Sequence, residues 1–362
     1  MPITIKRRKE GDRMRSKVVC ELISDAAAGN GRNSEGSFIR LQDGRILFYF
    51  TQYHADDCDF GQADLAFCTS ADDGETWSKP EIFIKGPEDG NVMSVSLLRL
   101  QNGRIMMSYL QKKKLDGGRY DCRPKVCFSD DECASWTEPF FVTDVPGYYV
   151  QNNDRIVQLS TGRILLPNAY TNDLNQTAIV VMFYSDDDGA TWNVSNWILP
   201  PQEKPARVGL QEPGVIELED GTVFCWQRTD WGYQYFSTSA DQGLSWSAVQ
   251  PEPSFPAPCS PLSMKRDPAD GRYIAVWNDI DPRWKAPVRA DSWSYSRARL
   301  VMAFSSDCKH WADHTLLEYD YECGYCYTAI EFLPDRSFLL AYCCGGHGKS
   351  CLQDLRIRKF YI

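Results

Sequence analysis

A polar residue precedes each of six β-hairpins at one fixed distance, and these six residues are the first candidates for chemistry. They are found by counting eight residues back from the turn Asp, Asn or Thr, with two more in the fifth hairpin, which carries an insertion. Polar groups inside strands cost free energy when they are buried, unless they meet partners or a ligand. Polar groups that converge on one mouth are typical of a ligand site. The six positions are Glu35, Ser94, Asn153, Glu212, Ser260 and Tyr327.

A channel that holds only water would also need polar side chains at these positions. Water accounts well for serine and asparagine, which exchange hydrogen bonds with solvent easily. It accounts less well for Tyr327, Glu35 and Glu212, which have arginines near them in the sequence. We therefore favour a ligand site over a solvent channel.

The strands that must position these residues are indicated by turns at a regular spacing. Gly44, Gly103, Gly162 and Gly221 lie 59 residues apart, each after Asp, Asn or Thr and between apolar runs. An Asp-Gly or Asn-Gly pair between apolar strands is the strongest short-range signal of a hairpin. Two further hairpins, near residues 264–272 and 330–337, bring the set to six.

A second turn motif recurs in step with these hairpins and closes an outer hairpin. Residues 70–77, 185–192 and 239–246 share the pattern Ser-x-Asp-x-Gly-x-Thr/Ser-Trp, and residues 129–136 and 305–311 are weaker copies. The Asp can hydrogen-bond turn amides, the Gly tolerates positive φ, and the Trp can pack on the neighbouring repeat. Two hairpins per repeat predict four strands per repeat.

The predicted fold is therefore all-β, a six-bladed β-propeller formed as a single domain by residues 1–362. Ring closure is predicted to pair Lys17–Leu22 with strands near Leu355–Ile362, which would remove the open sheet edges. The innermost strand of each blade would then bring the six polar positions to one mouth.

Charge and composition exclude some classes of partner. The net charge of −10 argues against nucleic acid or an anionic membrane as the main partner. A small anionic substrate stays possible, because a few clustered arginines can dominate a pocket. The basic start of the chain, residues 1–17, has no apolar leader segment, which predicts a cytoplasmic protein.

The 14 cysteines are predicted to be reduced, because no leader indicates an oxidising compartment. Cys323 and Cys326 have redox or zinc spacing, and Cys343, Cys344, His347 and Cys351 follow nearby. A metal site there is the alternative to a set of core residues beside a loop. We favour the core interpretation and predict neither a metal nor a cofactor.

The second turn motif resembles the Asp-box of the sialidase (BNR repeat) superfamily, over essentially all six blades. In that superfamily the box is a structural turn, so its aspartates receive no catalytic role. Three further segments resemble exo-sialidase motifs, and a fourth resembles the acid/base loop. They are Glu212 to Val215 with Arg228, Ser296 to Leu300 with Arg297, Tyr327 to Ile330 ahead of Leu333-Pro334-Asp335, and Asp59 to Leu65.

The resemblance implies a retaining, exo-acting glycoside hydrolase. Tyr327 would be the nucleophile, Glu212 its base and Asp59 the acid/base, with Asp56 and Asp57 as fallback acids. Arginines would hold the substrate carboxylate through bidentate contacts. A neutral phenol suits such a substrate, because the carboxylate of a keto sugar acid repels an anionic nucleophile.

The first arginine of the family's triad has no clear match. Arg32 stands slightly early, and Glu35 occupies the position that faces the channel. Either Arg32 swings in beside Arg228 and Arg297, or the triad is incomplete and Glu35 meets a hydroxyl or a cation. Arg155, beside Asn152, Asn153 and Asp154, is another candidate anion partner, or a salt-bridge partner of Asp154 or Glu212. Two loop aromatics, Trp231 and Trp284, are candidate sugar-stacking residues.

Three functions stay open from the sequence. The first is an enzyme of sialidase type that removes a terminal sialic acid, or a related acidic sugar, from a glycan. The second is a carbohydrate-binding propeller without catalysis. The third is a lyase or glycosidase that uses Glu35 and Glu212 as a carboxylate pair. Fold alone does not separate these three.

Overall fold

Strands form nearly all the regular structure of the chain. The computed structural model describes residues 14–55, 57–171, 177–202 and 207–361. The three helical segments of the described residues are short 3-10 turns: Ala26–Ala28, Asp116–Gly118 and Tyr295–Arg297. The protein is all-β, as the hairpin signals predict.

Hydrogen bonding groups the strands of the first half into antiparallel units that follow one another along the chain. The first strand, β1, spans Arg15–Leu22. The first unit contains β2 (Arg32–Arg40), β3 (Ile46–Tyr53), β4 (Ala63–Ser70) and β5 (Glu81–Ile84). The second unit contains β6 (Gly90–Arg99), β7 (Ile105–Lys114), β8 (Tyr120–Ser129) and β9 (Phe140–Phe141). The third contains β10 (Tyr148–Val150), β11 (Val157–Gln158), β12 (Ile164–Thr171), β13 (Ile179–Ser185) and β14 (Asn193–Val194).

The second half of the chain repeats this arrangement in three separate four-stranded sheets. The fourth unit contains β15 (Gln211–Glu217), β16 (Val223–Arg228), β17 (Tyr233–Ser239) and β18 (Gln250–Pro256). The fifth contains β19 (Ser263–Arg266), β20 (Tyr273–Trp277), β21 (Arg299–Ser305) and β22 (Ala312–Tyr319). The sixth contains β23 (Cys323–Phe332), β24 (Ser337–Gly346) and β25 (Asp354–Tyr361), completed by β1. Single parallel pairs, Ala63 with Asn91 and Cys122 with Tyr148, join the first three units into one sheet.

The two ends of the chain meet in the sixth unit. β1 runs antiparallel to β25, with Arg15 opposite Tyr361 and Leu22 opposite Leu355. This pairing confirms the one predicted for the two termini. An N-terminal strand thus covers an edge that the C-terminal strand would otherwise leave unpaired.

Each unit shares a buried apolar cluster with the next one. The cluster between the second and third units, for example, holds Phe128 with Ile164 and Phe183. The last unit also packs on the first, where Leu339 and Ile357 meet Phe48. Burial between units therefore stabilises contacts between neighbours all along the chain, the first and last included.

The second turn motif has the geometry that its residue types predict. In its first copy, the Asp72 carboxylate accepts hydrogen bonds from the Thr76 amide at 2.9 Å and the Thr76 hydroxyl at 2.6 Å. Gly74 has a φ of +82° and faces Leu339 of the sixth unit. In this copy the turn therefore packs the first unit against the sixth.

Bulges in the inner strands aim the predicted polar residues out of the sheet. Glu35, Ser94, Glu212 and Tyr327 all have positive φ, between 43° and 57°, and each lies where the register of its strand shifts. A bulge residue in this left-handed conformation leaves the hydrogen-bond ladder and redirects its side chain. Non-glycine residues adopt such φ values at a cost, which is tolerated most often at functional sites.

Candidate active site

A cavity of about 240 Å³ opens where the bulges meet, and four of the six predicted polar residues line it. These are Glu35, Ser94, Glu212 and Tyr327, from four different units. Asp59 and Arg228 also line the cavity, with an apolar wall that includes Met93 and Leu110. Convergent charged groups beside an apolar wall are typical of a site for a small polar ligand.

Tyr327 and Glu212 form a hydrogen-bonded pair at the cavity. The Tyr327 hydroxyl donates to Glu212 Oε1 at 2.7 Å. Arg228 Nη1 donates to the same oxygen at 2.7 Å and to the Tyr327 hydroxyl at 3.3 Å. Glu212 Oε2 is buried and has no hydrogen-bond partner among the described residues. The pair thus has a base already in contact with the phenol proton, and a free carboxylate oxygen beside it.

Burial favours the neutral form of the Tyr327 phenol. Burial and the Glu212 charge raise the pKa of Tyr327 well above its ordinary value of 10, although Arg228 and Arg297 lower it. The free phenolate is therefore strongly disfavoured, and the proton of the phenol is shared in a hydrogen bond with Glu212.

Arg297 is a cation held without an acidic partner. Its side chain is buried, and Nη2 donates to the Cys259 carbonyl at 3.0 Å while Nη1 donates to Cys326 Sγ at 3.2 Å. Its guanidinium lies 4.2 Å from the ring centre of Trp293, which lines the cavity, and 5.6 Å from that of Tyr327. No carboxylate of the described residues lies within ion-pair distance of it. A buried guanidinium in this state favours an anionic ligand group.

Arg32 reaches the site from β2 and pairs with two carboxylates. Arg32 Nη1 lies 2.5 Å from Asp59 Oδ1, and Nη2 lies 3.4 Å from Glu35 Oε1. The ring of Tyr53 covers its guanidinium at 4.5 Å. Features of both alternatives from the sequence are present. Arg32 is buried behind the cavity-lining carboxylates Asp59 and Glu35, and Glu35 meets both a hydroxyl, that of Ser94, and a cation, that of Arg32.

The two carboxylates at Arg32 differ in protonation. Burial raises the pKa of Glu35 to about 7, against the opposing charge of Arg32 and a 2.6 Å hydrogen bond from Ser94. Burial also favours the neutral form of Asp59, but the charges of Arg32 and Lys112 outweigh it and hold the Asp59 pKa below its usual value. Environment thus separates the two acids by their readiness to ionise.

Asn153 and Arg155 lie away from the cavity. Asn153 Nδ2 donates to the Gly36 carbonyl at 2.7 Å and the Tyr327 carbonyl at 3.3 Å, so it ties strands together beneath the site. Arg155 donates to Ser263 Oγ and the Leu262 carbonyl. Both terminal nitrogens of its buried guanidinium therefore donate to residues at the start of the fifth unit, and Arg155 is not among the residues that line the cavity. Asp154 pairs instead with Lys265 at 2.9 Å.

Other candidates from the sequence also have different partners. Ser260 donates to Asn278 at 2.5 Å. Trp231 packs on Tyr235, and Trp284 donates to Asp279, so neither residue lines the cavity. The tryptophan among the cavity-lining residues is Trp293, from the same long loop as Trp284. Asp56 lies outside the described residues.

Sequence reasoning missed Lys112, a fully buried cavity residue on β7. It is the first lysine of the run Lys112-Lys113-Lys114. A lysine run at a strand end indicates a solvated edge. Alternation along the strand separates Lys112 from Lys113 but places Lys114 on the same face as Lys112, so the sequence pattern does not single out the buried lysine.

All 14 cysteines are free thiols. Cys326, Cys343, Cys344 and Cys351 are buried, as the core interpretation predicts. Cys323 is only partly buried, and its sulfur lies with donor atoms of Asp320 and His347, all within 4.8 Å of one another. Among the described residues, no helix is long and apolar enough to cross a membrane.

The chain belongs to the BNR repeat-like family, whose sequence profile matches residues 61–335. The match places it in the superfamily of sialidases and BNR-repeat proteins. A sialidase of Clostridium perfringens is 26% identical over 238 residues, which cover 58% of this chain and 59% of that relative. The alignment therefore spans less than two thirds of the relative's length.

Solved structures share the fold over nearly the whole chain. A protein of unknown function from Dyadobacter fermentans superposes with a TM-score of 0.74 at 19% identity, covering 96% of this chain and 99% of the other. The leech intramolecular trans-sialidase, solved with 2,7-anhydro-Neu5Ac, superposes with a TM-score of 0.68 at 14% identity, covering 96% and 70%. At these identities the likeness extends to the fold alone.

Proposed function

We propose that this protein is an exo-acting, retaining glycoside hydrolase of sialidase type, which removes a terminal sialic acid or a related acidic sugar from a glycan. The observation that carries the proposal is the hydrogen-bonded pair of Tyr327 and Glu212 beside Arg228 at one cavity. We also propose that the antiparallel units are the blades of one closed six-bladed β-propeller. Membership of the sialidase superfamily supports both proposals.

The substrate carboxylate would bind among the three arginines. Arg228 and Arg297 flank Tyr327, and Arg297 has no acidic partner among the described residues. Arg32 would be freed when the substrate carboxylate replaces Asp59 at Nη1. Exchange of one carboxylate for another conserves the charge balance at Arg32, so binding does not leave a buried cation unpaired.

In the first step, the Tyr327 oxygen would attack the anomeric carbon while Glu212 takes the phenol proton. The glycosidic bond breaks, and the leaving oxygen receives a proton from Asp59, which would have taken that proton from water once the substrate carboxylate replaced it at Arg32. In the second step, water would attack the anomeric carbon and give its proton to Asp59. The bond between the Tyr327 oxygen and the sugar breaks, and Glu212 returns the proton to the Tyr327 oxygen. Two inversions retain the configuration of the sugar.

The nucleophile is tested by Tyr327→Phe with a fluorogenic aryl sialoside. We expect kcat to fall at least about a thousandfold, because the variant keeps the ring but has no reacting oxygen. The matched control is Tyr325→Phe, two residues earlier on β23, where the ring packs in the core with the fifth unit. Its activity should stay within about threefold of the parent protein. Equal activity of Tyr327→Phe and the parent would refute the tyrosine mechanism.

A carboxylate-pair enzyme is the second candidate, because Glu35 lines the cavity with a pKa of about 7. A carboxyl that gains and loses its proton near neutral pH suits general acid/base work. This candidate predicts that Glu35→Gln abolishes turnover while Arg297→Ala is mild. The sialidase-type proposal predicts that Arg297→Ala raises KM strongly. Binding of glycans without turnover of any sialoside would favour a carbohydrate-binding protein instead.

A further inference from the structure

We propose that Lys112 and Asn91 are positioning residues that hold the acid/base Asp59 by its backbone; the inference rests on the proposed function of Asp59. Both residues belong to the second unit, on β7 and β6, whereas Asp59 lies in the loop that joins β3 to β4. The contacts of Lys112 and Asn91 with the Asp59 backbone form a clamp, which connects a loop of the first unit to two strands of the second.

The contacts converge on one carbonyl. Lys112 Nζ donates to the Asp59 carbonyl at 2.6 Å, and Asn91 Nδ2 donates to it at 3.0 Å. Asn91 Nδ2 also donates to the Gly61 carbonyl at 2.8 Å. Lys112 and Asn91 are both buried, whereas the Asp59 side chain is 51% exposed at the cavity. The backbone of the loop is thus held by contacts that do not involve the Asp59 carboxylate, which pairs with Arg32 instead.

The surroundings of Lys112 differ from those of a lysine that only neutralises an acidic side chain. Among the described residues, no carboxylate oxygen lies within 4.0 Å of its ammonium group. Two rings flank that group instead, with the centre of Phe60 at 4.7 Å and that of Tyr148 at 5.3 Å. Phe60 follows Asp59 in the same loop, so Lys112 holds the loop by a carbonyl and by a ring. A buried ammonium without an ion pair is costly, and it is retained where its position serves the site.

A backbone clamp suits the two states that Asp59 has to adopt. In this structure its carboxylate is paired with Arg32, and the substrate carboxylate would break that pair. Once released, the side chain would be free to leave the site if Arg32 were its only anchor. The bonds to the Asp59 carbonyl survive the exchange, so the acid stays close to the glycosidic oxygen.

The test compares two substrates whose leaving groups differ in their need for protonation by a general acid. A 4-methylumbelliferyl sialoside loses an acidic phenol, which departs with little protonation, whereas sialyllactose loses a sugar alcohol that requires it. In Lys112→Met and in Asn91→Ala, we expect kcat/KM on sialyllactose to fall at least about tenfold more than on the aryl sialoside. The matched control is Lys113→Met, on the same strand, because Lys113 is exposed and pairs with Asp89. It should leave both rates unchanged.

Asp59→Asn separates failure of the clamp from failure of the proposed function. A large gap between the two substrates in Asp59→Asn, without one in Lys112→Met or Asn91→Ala, refutes the clamp. Equal losses on both substrates in Asp59→Asn refute Asp59 as the acid. Thermal melting identifies any variant that fails to fold; Asn91→Ala, which removes amide contacts and no charge, then carries the test. Equal losses on both substrates in a folded Asn91→Ala would mean that the contacts are merely structural.

Discussion

At the scale of single residues, the site is a set of acids and bases whose protonation is set by burial. Tyr327 and Glu35 are shifted toward their neutral forms, whereas two cations hold Asp59 in its charged form. Burial and the charges of neighbouring side chains cause each of these pKa shifts. Protonation therefore links the chemistry of this site to the stability of the fold.

Glu35 should make the folded protein less stable as pH rises. Its pKa is about 7 in the folded state, above the ordinary value of 4.5, so the folded state binds this proton more tightly than the unfolded chain does. The resulting stabilisation is complete below about pH 4.5 and is lost as pH rises through 7. Between pH 5 and pH 8, the free energy of unfolding of the parent protein should fall relative to that of Glu35→Gln.

Urea unfolding of both proteins at several pH values measures this difference. Glu331, whose pKa burial also raises to about 7, is present in both proteins and cancels in the comparison. Parallel stability curves over this range would contradict a buried, protonated Glu35.

At the scale of strands and turns, one unit is attached to the next by its outer turn. The first copy of the motif illustrates this, because a side chain on Gly74 would meet the Leu339 side chain at 2.7 Å. The copy in the third unit, residues 185–192, is similar, with Gly189 against Phe128 of the second unit. Each of these glycines has a positive φ and lies close to a side chain of the neighbouring unit, so a larger residue would be unfavourable for both reasons.

Gly74→Ala should therefore destabilise the protein more than a comparable change in an open turn. Gly103 is the matched control, because it has a φ of +92° and open space around it. Both variants carry the cost of positive φ, of about 1 kcal/mol. Gly74→Ala should lose about 1–3 kcal/mol more through the contact with Leu339. Chemical denaturation of the two variants measures the difference, and equal losses would exclude a packing role for the turn.

The sequence predicts the strands and turns of this fold well, and the side-chain directions less well. Hairpin spacing is local, so the turn glycines and the polar positions Glu35, Ser94, Glu212 and Tyr327 could be found without a structure. Arg32 and Lys112 could not be assigned in this way. Arg32 contacts Asp59 in a loop of its own unit, and Lys112 contacts the same loop from the neighbouring unit. No local pattern encodes where that loop folds. The partners of Arg155 could not be assigned from the sequence either. Its neighbour Asp154 pairs with Lys265 instead.

At the scale of the whole molecule, an acidic chain places cations at one cavity. The net charge is −10, yet Arg32, Arg228, Arg297 and Lys112 gather around the site. The cavity therefore carries a cluster of positive charges although the chain as a whole is negative. An anionic ligand would be attracted only when it is close to the cavity. Screening by salt limits the repulsion from the rest of the surface to about 8 Å at physiological ionic strength.

The pairing of the two chain ends should matter for the stability of the entire protein. Leu22 of β1 is buried in the cluster that joins the sixth unit to the first, whereas Val18 on the same strand is 41% exposed. Leu22→Asp should lower the free energy of unfolding by more than about 2 kcal/mol, because it buries a charge. Val18→Asp should be nearly neutral.

Calorimetry distinguishes a closed ring from an independent edge. If the units close into one ring, Leu22→Asp should lower the temperature of a single transition that includes all of them. A separate early transition for the sixth unit alone would contradict closure.

The positive-φ bulges have a consequence for how this surface can change. Because a bulge residue stands outside the strand ladder, the backbone bonds around it do not depend on the identity of its side chain. Glu35, Ser94, Glu212 and Tyr327 occupy four such places with three different chemistries. Substitution at one bulge would alter reactivity without shifting register in any sheet. The same scaffold can thus diverge toward new ligands one repeat at a time.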